Sequence, residues 1–216
     1  EQMQQDLSDL AAGESGTLRV GMIETIARLY LLQVMCTFRE RYPRIRLTIE
    51  ILSTNRTHEQ LIANQIDLGI STPPPANVGL LFEPILTETP VLLLPKNHSL
   101  LQQDEILLSD LCAECLLLTD PPCAYRTAIE QAFMARGLPL AIGLEIGSLE
   151  IIKQGMGVAI MPKLATYHIP DDTVIRPIKD WKLHMPVGLI TREVPLPQSK
   201  AVQTFSSLFK QAAADA

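Results

Sequence analysis

The chain has 216 residues, 47% of them hydrophobic, and carries a formal net charge of −6 with an isoelectric point near 5.2. That is enough apolar content for one domain of ordinary size or two small lobes, while no apolar run approaches the roughly 18 residues a membrane-spanning helix needs. The acidic balance, with Lys and Arg distributed along the chain, predicts that this segment does not bind nucleic acid by itself, and four cysteines are too few for a small secreted disulfide framework.

Glu1–Leu10 is polar and helix-compatible, and Ala11-Ala-Gly-Glu-Ser-Gly16 then breaks any helix, in the manner of a linker arriving from an upstream segment. Gly16–Met22 reads as a buried strand, followed by a helix over Ile26–Tyr42 that Pro43 stops. At 100° per residue this helix presents one apolar band of Ala27, Leu31, Val34, Met35 and Phe38, and a second of Leu29, Leu32 and Cys36. Two bands need two partners: the helix's own sheet and, for the outward band, another subunit. A strand over Ile45–Leu52, a helix from about Thr57 to Asn64 and a strand over Asp67–Ile70 continue a βαβ alternation, which predicts a doubly wound sheet.

The triple proline Pro73–Pro75 forbids regular structure. Gly79–Leu86 and Thr89–Leu94 read as consecutive strands, and the break at Thr87-Glu-Thr89 as a crossing between lobes. The second lobe repeats the alternation: strand Cys115–Thr119, helix Ala124–Arg136 closed by Gly137, strand Ile142–Ile146, helix Ser148–Gln154 and strand Val158–Met161 stopped by Pro162. Val174–Ile178 and Pro186–Thr191 are further strands. Ser199–Ala213 is an amphipathic helix, with Val202, Phe205, Leu208, Phe209 and Ala212 on one face, expected to pack on the first lobe.

In open α/β sheets ligands bind beyond the carboxyl ends of strands, where helix N-termini offer unpaired amides and about half a positive charge. Three such turns carry hydroxyl or amide groups: Glu24-Thr25, Ser53-Thr54-Asn55 and Gly147-Ser148. A fourth, Thr119–Arg126, brings the thiol of Cys123, the phenol of Tyr125 and the guanidinium of Arg126. Together these donors suit a small carboxylate or other anion, although Ser, Thr and Asn at such places also serve as plain helix caps. Cys112 and Cys115 form one C-x-x-C, read as buried thiols, and Cys123, ahead of a helix and near Arg126, is a candidate redox-sensitive thiol. His58, His98, His168 and His184 show no metal-ligand spacing and read as surface or loop residues, so no metal or other cofactor is implied. No nucleophile elbow, phosphate-binding loop or complete dinucleotide fingerprint occurs, and Gly155-Met-Gly157 lacks a third glycine.

From Gly16 to about Phe209 the chain resembles the effector-binding domain of LysR-type transcriptional regulators. The matching residues are Gly16-Thr-Leu-Arg-Val-Gly21, Phe38-Arg-Glu-Arg-Tyr-Pro43, Leu61 through Asp67-Leu-Gly-Ile70, Leu94-Pro-Lys-Asn-His-Ser-Leu100, Leu108-Ser-Asp-Leu111 and Gly155-Met-Gly-Val-Ala-Ile-Met-Pro162. The resemblance implies an α/β fold of two Rossmann-like lobes joined by two crossover strands, like type 2 periplasmic binding proteins. Residues 1–15 would then be the end of a linker helix with its linker, 16–87 plus 187–216 lobe I, and 88–186 lobe II. It further implies a small-molecule effector, contacted from Thr25, Ile26, Ser53, Thr54, Asn55, Cys123, Tyr125, Arg126 and Ser148. A homodimer would use Leu29, Leu32 and Cys36, with a tetramer in the full-length protein, and DNA would be bound only through a winged helix-turn-helix upstream.

Two departures from the family pattern stand out. No second cysteine occurs in the helix after Cys123, where Ala132 and Phe133 stand, and about one helical turn, ~3.6 residues, is missing between Gln154 and Gly155. The expected function is effector sensing in the cytoplasm without catalysis. The alternatives are a solute-binding protein of a transport system, or a thiol-based redox sensor acting through Cys123.

Overall fold

Leu18, Val20 and Met22 are at most 1% exposed, and their strand, β1 (Gly16–Met22), has parallel partners on both sides, β2 (Ile45–Ile51) and β3 (Leu68–Ser71). The structure, a computed structural model, describes residues 15–119, 121, 123–145, 157–167, 169–193 and 199–215. The predicted segments Glu1–Leu10 and Ser148–Gln154 lie outside the described residues. The chain divides into two compact units, Glu1–Thr87 with Pro186–Ala216, and Glu88–Met185.

In unit 1 the helix α1 (Glu24–Arg41) connects β1 to β2, and α2 (Thr54–Ile62) connects β2 to β3. The sheet order is β2-β1-β3-β10-β4, where β4 is Leu80–Glu88 and β10 is Met185–Arg192. The βαβ alternation of the sequence accounts for the parallel trio β2-β1-β3, and β10 adds to it antiparallel to β3. A parallel neighbour needs a long reversing crossover, whereas β10 re-enters unit 1 directly from unit 2. Arg19 clamps β1 to the start of β3: its Nε and Nη2 donate to the two carboxylate oxygens of Asp67 at 3.3 and 2.9 Å, and its amide donates to Asp67 at 2.8 Å.

The buried face of α1 consists of Thr25, Ile26, Ala27, Tyr30, Val34 and Phe38. Tyr30 joins the predicted band, while Leu31 and Met35 are only half-buried. Against this face packs α4 (Lys200–Ala214), through Tyr30 edge-on to Phe209 and Phe38 edge-on to Phe205, with ring centroids 5.6 and 5.4 Å apart. Such aromatic pairs add about 1 kcal/mol each beyond area burial. The second helix starts three residues earlier than its pattern predicts because Ser53 is its N-cap, its side chain accepting from the Arg56 amide. It ends at Ile62, since Asn64 takes a left-handed conformation, φ 57°, which Asn tolerates. The expected break at Thr87-Glu-Thr89 is also narrower: β4 continues to Glu88, and only Thr89 separates it from β5 (Pro90–Pro95).

Unit 2 has the sheet order β7-β6-β8-β5-β9, with β6 (Cys115–Leu118) parallel to β7 (Ala141–Glu145) and to β8 (Val158–Pro162), and β5 antiparallel to β8 and to β9 (Thr173–Arg176). Both sheets therefore repeat one arrangement, a parallel trio followed by an antiparallel strand. Buried on both faces, β5 sends Leu92 and Leu94 into a cluster with Phe133 and Trp181, and Val91 and Leu93 into another with Ala159 and Met161. This explains its unbroken apolar run. The helix α3 (Ala124–Ala135) packs Ile129 and Phe133 into the first cluster.

Gly188 on β10 lies so close to β4 that a Cβ there would meet the Glu83 carbonyl oxygen and the Pro84 backbone. Backbone cannot yield as a side chain does, so Gly188→Ala is expected to lower unfolding free energy by about 3 kcal/mol. Gly137→Ala, at positive φ with open space around it, should cost about 1 kcal/mol. Urea denaturation of both variants checks the ranking.

Candidate functional site

The parallel register sets Met22 opposite Ile51 and opposite Ile70, so the carboxyl ends of β1, β2 and β3 reach one edge of unit 1 together. The ladder continues one residue further, with the Ile23 amide donating to the Ile70 carbonyl at 3.1 Å and the Leu52 amide to that of Met22 at 2.9 Å. Thr25 and Ile26, which start the predicted site, are the second and third residues of α1 and are buried, Thr25 at 6% exposure. The N-cap of α1 is Ile23, which has no side-chain acceptor to offer. The first-turn amides, which cannot bond within the helix, therefore face outward without a side-chain cap.

Ser53 spends its hydroxyl on capping α2, whereas Thr54 and Asn55 form that helix's first turn. The Thr54 hydroxyl lies 3.3 Å from that of Thr72, which links the ends of β2 and β3. Thr25, Ile26, Ser53, Thr54 and Asn55 are thus gathered at the carboxyl ends of the trio, and Asn55 is exposed. Ser71 and Thr72 join them as residues absent from the sequence reading. The rule that picks out the turns after the first two strands would also pick out this one, directly after Asp67–Ile70.

His58 corrects the expectation of a surface histidine. It is 6% exposed, with Nε2 3.1 Å from the Thr72 carbonyl and 3.4 Å from the Ser71 hydroxyl. A carbonyl can only accept, so Nε2 carries the proton. Burial pushes the imidazole below its ordinary pKa, against the opposing pull of Thr72. The ring is a neutral brace beneath the Thr72 turn.

In unit 2 the start of α3 is held by polar side chains. Cys123 is the N-cap of α3 and makes no side-chain cap bond. Arg126 is 4% exposed: Nε donates to Glu130 at 2.6 Å, Nη2 to Glu145 at 2.6 Å and Nη1 to the Thr119 carbonyl at 3.1 Å. Burial opposes its charge, but the hydrogen bonds and charges of Glu130 and Glu145 outweigh burial and hold the guanidinium above its ordinary pKa. Every guanidinium nitrogen of Arg126 is engaged: Nε within α3, and Nη1 and Nη2 in tying α3 to Thr119, just after β6, and to β7. Tyr125 turns its hydroxyl inward toward Glu88, and neither Tyr125 Oη nor Glu88 Oε1 makes a well-formed hydrogen bond. Glu88 Oε2 accepts from the Leu164 amide at 3.4 Å. Burial pushes the Glu88 carboxyl up to about 7, with the Leu164 amide and the Tyr125 phenol pulling the other way, and burial and Glu88 together push the phenol upward.

Ser148 lies outside the described residues. Of the outward band of α1, Leu29 is half-buried, Leu32 is 72% exposed and Cys36 is exposed. Cys112 is half-buried, and Cys115, at the start of β6, is exposed, so the reading of both as buried thiols is corrected. His98 also departs from a plain loop residue: it caps a short 3-10 helix over Ser99–Gln102 and lies 3.3 Å from Glu114. Among the described residues no group of three or more His, Cys, Asp or Glu is placed to hold a metal ion, and no helix is long and apolar enough to cross a membrane.

Two α/β units, each with a parallel trio followed by an antiparallel strand, and a hydroxyl-lined edge at helix N-termini define a small-molecule-binding domain of the type 2 periplasmic-binding-protein-like class. The chain belongs to the LysR substrate binding domain family, whose model matches residues 11–214. It is 28% identical over 165 residues to the HTH-type transcriptional activator CmpR of Synechocystis, a match covering 74% of this chain and 54% of that protein. The chain thus spans about half the length of such curated relatives. Its fold matches the CcmR regulatory domain of Synechocystis in complex with 2-PG at a TM-score of 0.82, with 22% identity and coverage of 92% of this chain and 98% of that one. It also matches the BenM effector binding domain with its effector benzoate at 0.79, with 20% identity and 93% of each chain covered. These relatives speak for the effector-binding reading and against both the transport and the thiol-switch alternatives.

Glu88 carries a pH prediction. Its folded pKa, about 7, lies above the ordinary 4.5, so its contribution to stability is complete below pH 4.5 and is lost as pH rises toward and through 7. The loss is on the order of 3 kcal/mol. Urea unfolding between pH 4.5 and 8 should show Glu88→Gln gaining on the wild type across that window. Parallel curves would mean that Glu88 titrates normally.

Proposed function

We propose that the turns at the carboxyl ends of β1, β2 and β3 anchor the anionic end of a small organic effector, and that this chain is the sensing part of a LysR-type transcriptional regulator. The observation that carries the reading is the N-terminus of α1, which has no side-chain cap and begins with the buried hydroxyl of Thr25. A helix N-terminus without its own acceptor suits an anion, and the Thr54 and Thr72 hydroxyls, 3.3 Å apart, offer adaptable donors beside it. Benzoate, the effector in the BenM structure, is a carboxylate. Asn55 and Ser53 would extend the contact, Tyr125 and Arg126 would act by shaping the α3 loop, and Ser148 and Cys123 would supply further contacts.

The chemistry proposed is binding without turnover. Among the described residues of the three turns, the one hydroxyl beside an imidazole is that of Ser71, and it donates to the Thr72 carbonyl while His58 Nε2 carries its proton toward the same carbonyl, so no nucleophile is paired with a free general base. The regulator would act in the cytoplasm, as a dimer formed in part by Leu29, Leu32 and Cys36 and as a tetramer when full length, with DNA bound by an upstream helix-turn-helix. A ligand moves such an assembly only by the difference in its affinity for two subunit arrangements. The effector must therefore bind one arrangement more tightly than the other.

A thermal-shift panel of small organic acids tests the site. An acid present at 100 times its dissociation constant adds about 2.7 kcal/mol to unfolding free energy. Thr25→Val keeps the volume but removes the hydroxyl, and is expected to abolish most of that gain. An undiminished gain in the variant places the site elsewhere.

A further inference from the structure

The sequence suggests dispersed cations, but the fold gathers five of the eighteen Lys and Arg residues at one corner of unit 1. Arg39 and Arg41 end α1, Arg44 and Arg46 flank the first residue of β2, and Lys200 begins α4. Two adjoining open pockets mark the corner. One is lined by Arg41, Tyr42, Arg44 and Lys200, the other by Arg39, Pro43, Arg44 and Arg46. The Tyr42 hydroxyl, 3.0 Å from that of Thr204, pins the second turn of α4 to the end of α1 and so holds Lys200, one turn earlier, beside the arginines.

Helix-end electrostatics account for only part of this patch. Arg39 and Arg41 complement the partial negative charge at the end of α1. Lys200 does the reverse, standing at the positive end of α4, and Arg44 and Arg46 lie outside any helix. All five side chains are exposed, and Arg39, Arg41, Arg46 and Lys200 form no ion pair among the described residues. Glu40 is the one acid within the run from Arg39 to Arg46. Like charges held together without neutralisation repel one another, which favours an anionic partner.

Position and composition narrow the partner. Ile45, between Arg44 and Arg46, pairs with Gly16, the residue at which the chain enters the sheet from its N-terminal side. The patch thus lies at the amino end of β1 and β2. The candidate effector turns lie at their carboxyl end, seven residues away, roughly 20 Å at the rise of a strand. Its exposed side chains are charged apart from Pro43, while Ile45 is buried. A protein partner needs apolar anchors at the centre of the contact; a phosphate backbone needs only charge and donors.

We propose that the corner between α1 and β2, with Lys200, is a docking surface for the phosphodiester backbone of DNA, read by charge and not by base sequence. The proposal rests on the reading of this chain as part of a DNA-bound regulator.

The test uses this chain and a fluorescent 30-base-pair duplex of arbitrary sequence, with binding followed by anisotropy as salt rises from about 20 to 150 mM. Engagement of about four phosphates gives a slope of log affinity against log salt of roughly −3.6. Arg41→Ala with Arg46→Ala should weaken binding at least tenfold at the low-salt end and reduce the slope by about 2. Lys163→Ala with Lys182→Ala, exposed residues of unit 2, makes the same change in net charge and should alter neither quantity. The proposal is overturned if the wild type shows no salt-dependent binding, if the control pair weakens binding equally, or if millimolar pyrophosphate stabilises the chain while the duplex does not bind. Scoring the organic-acid panel on the same proteins separates the two readings. Patch-dependent duplex binding without any acid response refutes the effector site alone, and an acid response without duplex binding refutes the docking surface alone.

Discussion

Three parallel strands held in one register determine what unit 1 can do. Because β1 is paired with β2 over seven residues and with β3 at its carboxyl end, three turns and two helix N-termini are forced onto one edge of the sheet. Gly21 and Gly69 permit this, since a Cβ at either would meet the side chains of α2 and its flanking segments at 2.7–2.8 Å, and the helix could not lie so near the sheet. Arg19 and Asp67 fix the other end of the same pairing. Loosening the trio would separate Thr25 from Thr54 and Thr72, and no local preference of any one turn could restore their proximity.

The two units handle charge differently. In unit 2 the buried cation Arg126 is neutralised by Glu130 and Glu145, and the carboxyl of Glu88 avoids charge by holding its proton to about pH 7. Both lie at the start of α3, beside Cys123. In unit 1 the cations of the α1–β2 corner remain in water and unpaired, apart from Arg44, which has a partner of its own. Stability explains the first pattern, because a buried charge without a partner is costly. It does not explain the second, and this makes the corner a place to look for binding.

Much of the fold was legible from the sequence, because periodicity reports burial directly. The apolar run Val91–Leu94 is a strand covered on both faces, and the stripe from Val202 to Ala212 is the face α4 turns to α1. The helices start two or three residues before their apolar pattern does, because Glu24, Thr54 and Asn55, whose chemistry also suits turns, lie inside helices. A cap and a turn use the same residue types, and only the backbone angles separate them. Within the site, the turns after the first two strands were visible by rule, but the burial of His58 and its bond to the Thr72 carbonyl were not. Nothing in a lone histidine tells which strand end will lie over it.

The sequence by itself determined the α/β class, the order of strands and helices, and the family, since these follow from hydrophobic period, turn chemistry and motif order along the chain. Tertiary structure alone decided that β5 and β10 run antiparallel, that Arg126 is engaged by two carboxylates, that Glu88 and Tyr125 meet without a well-formed bond, and that Lys200 joins arginines some 160 positions earlier. Each of these is a contact between residues distant in the chain, and the free energy of such a contact depends on distance and burial in space, which a one-dimensional pattern does not contain.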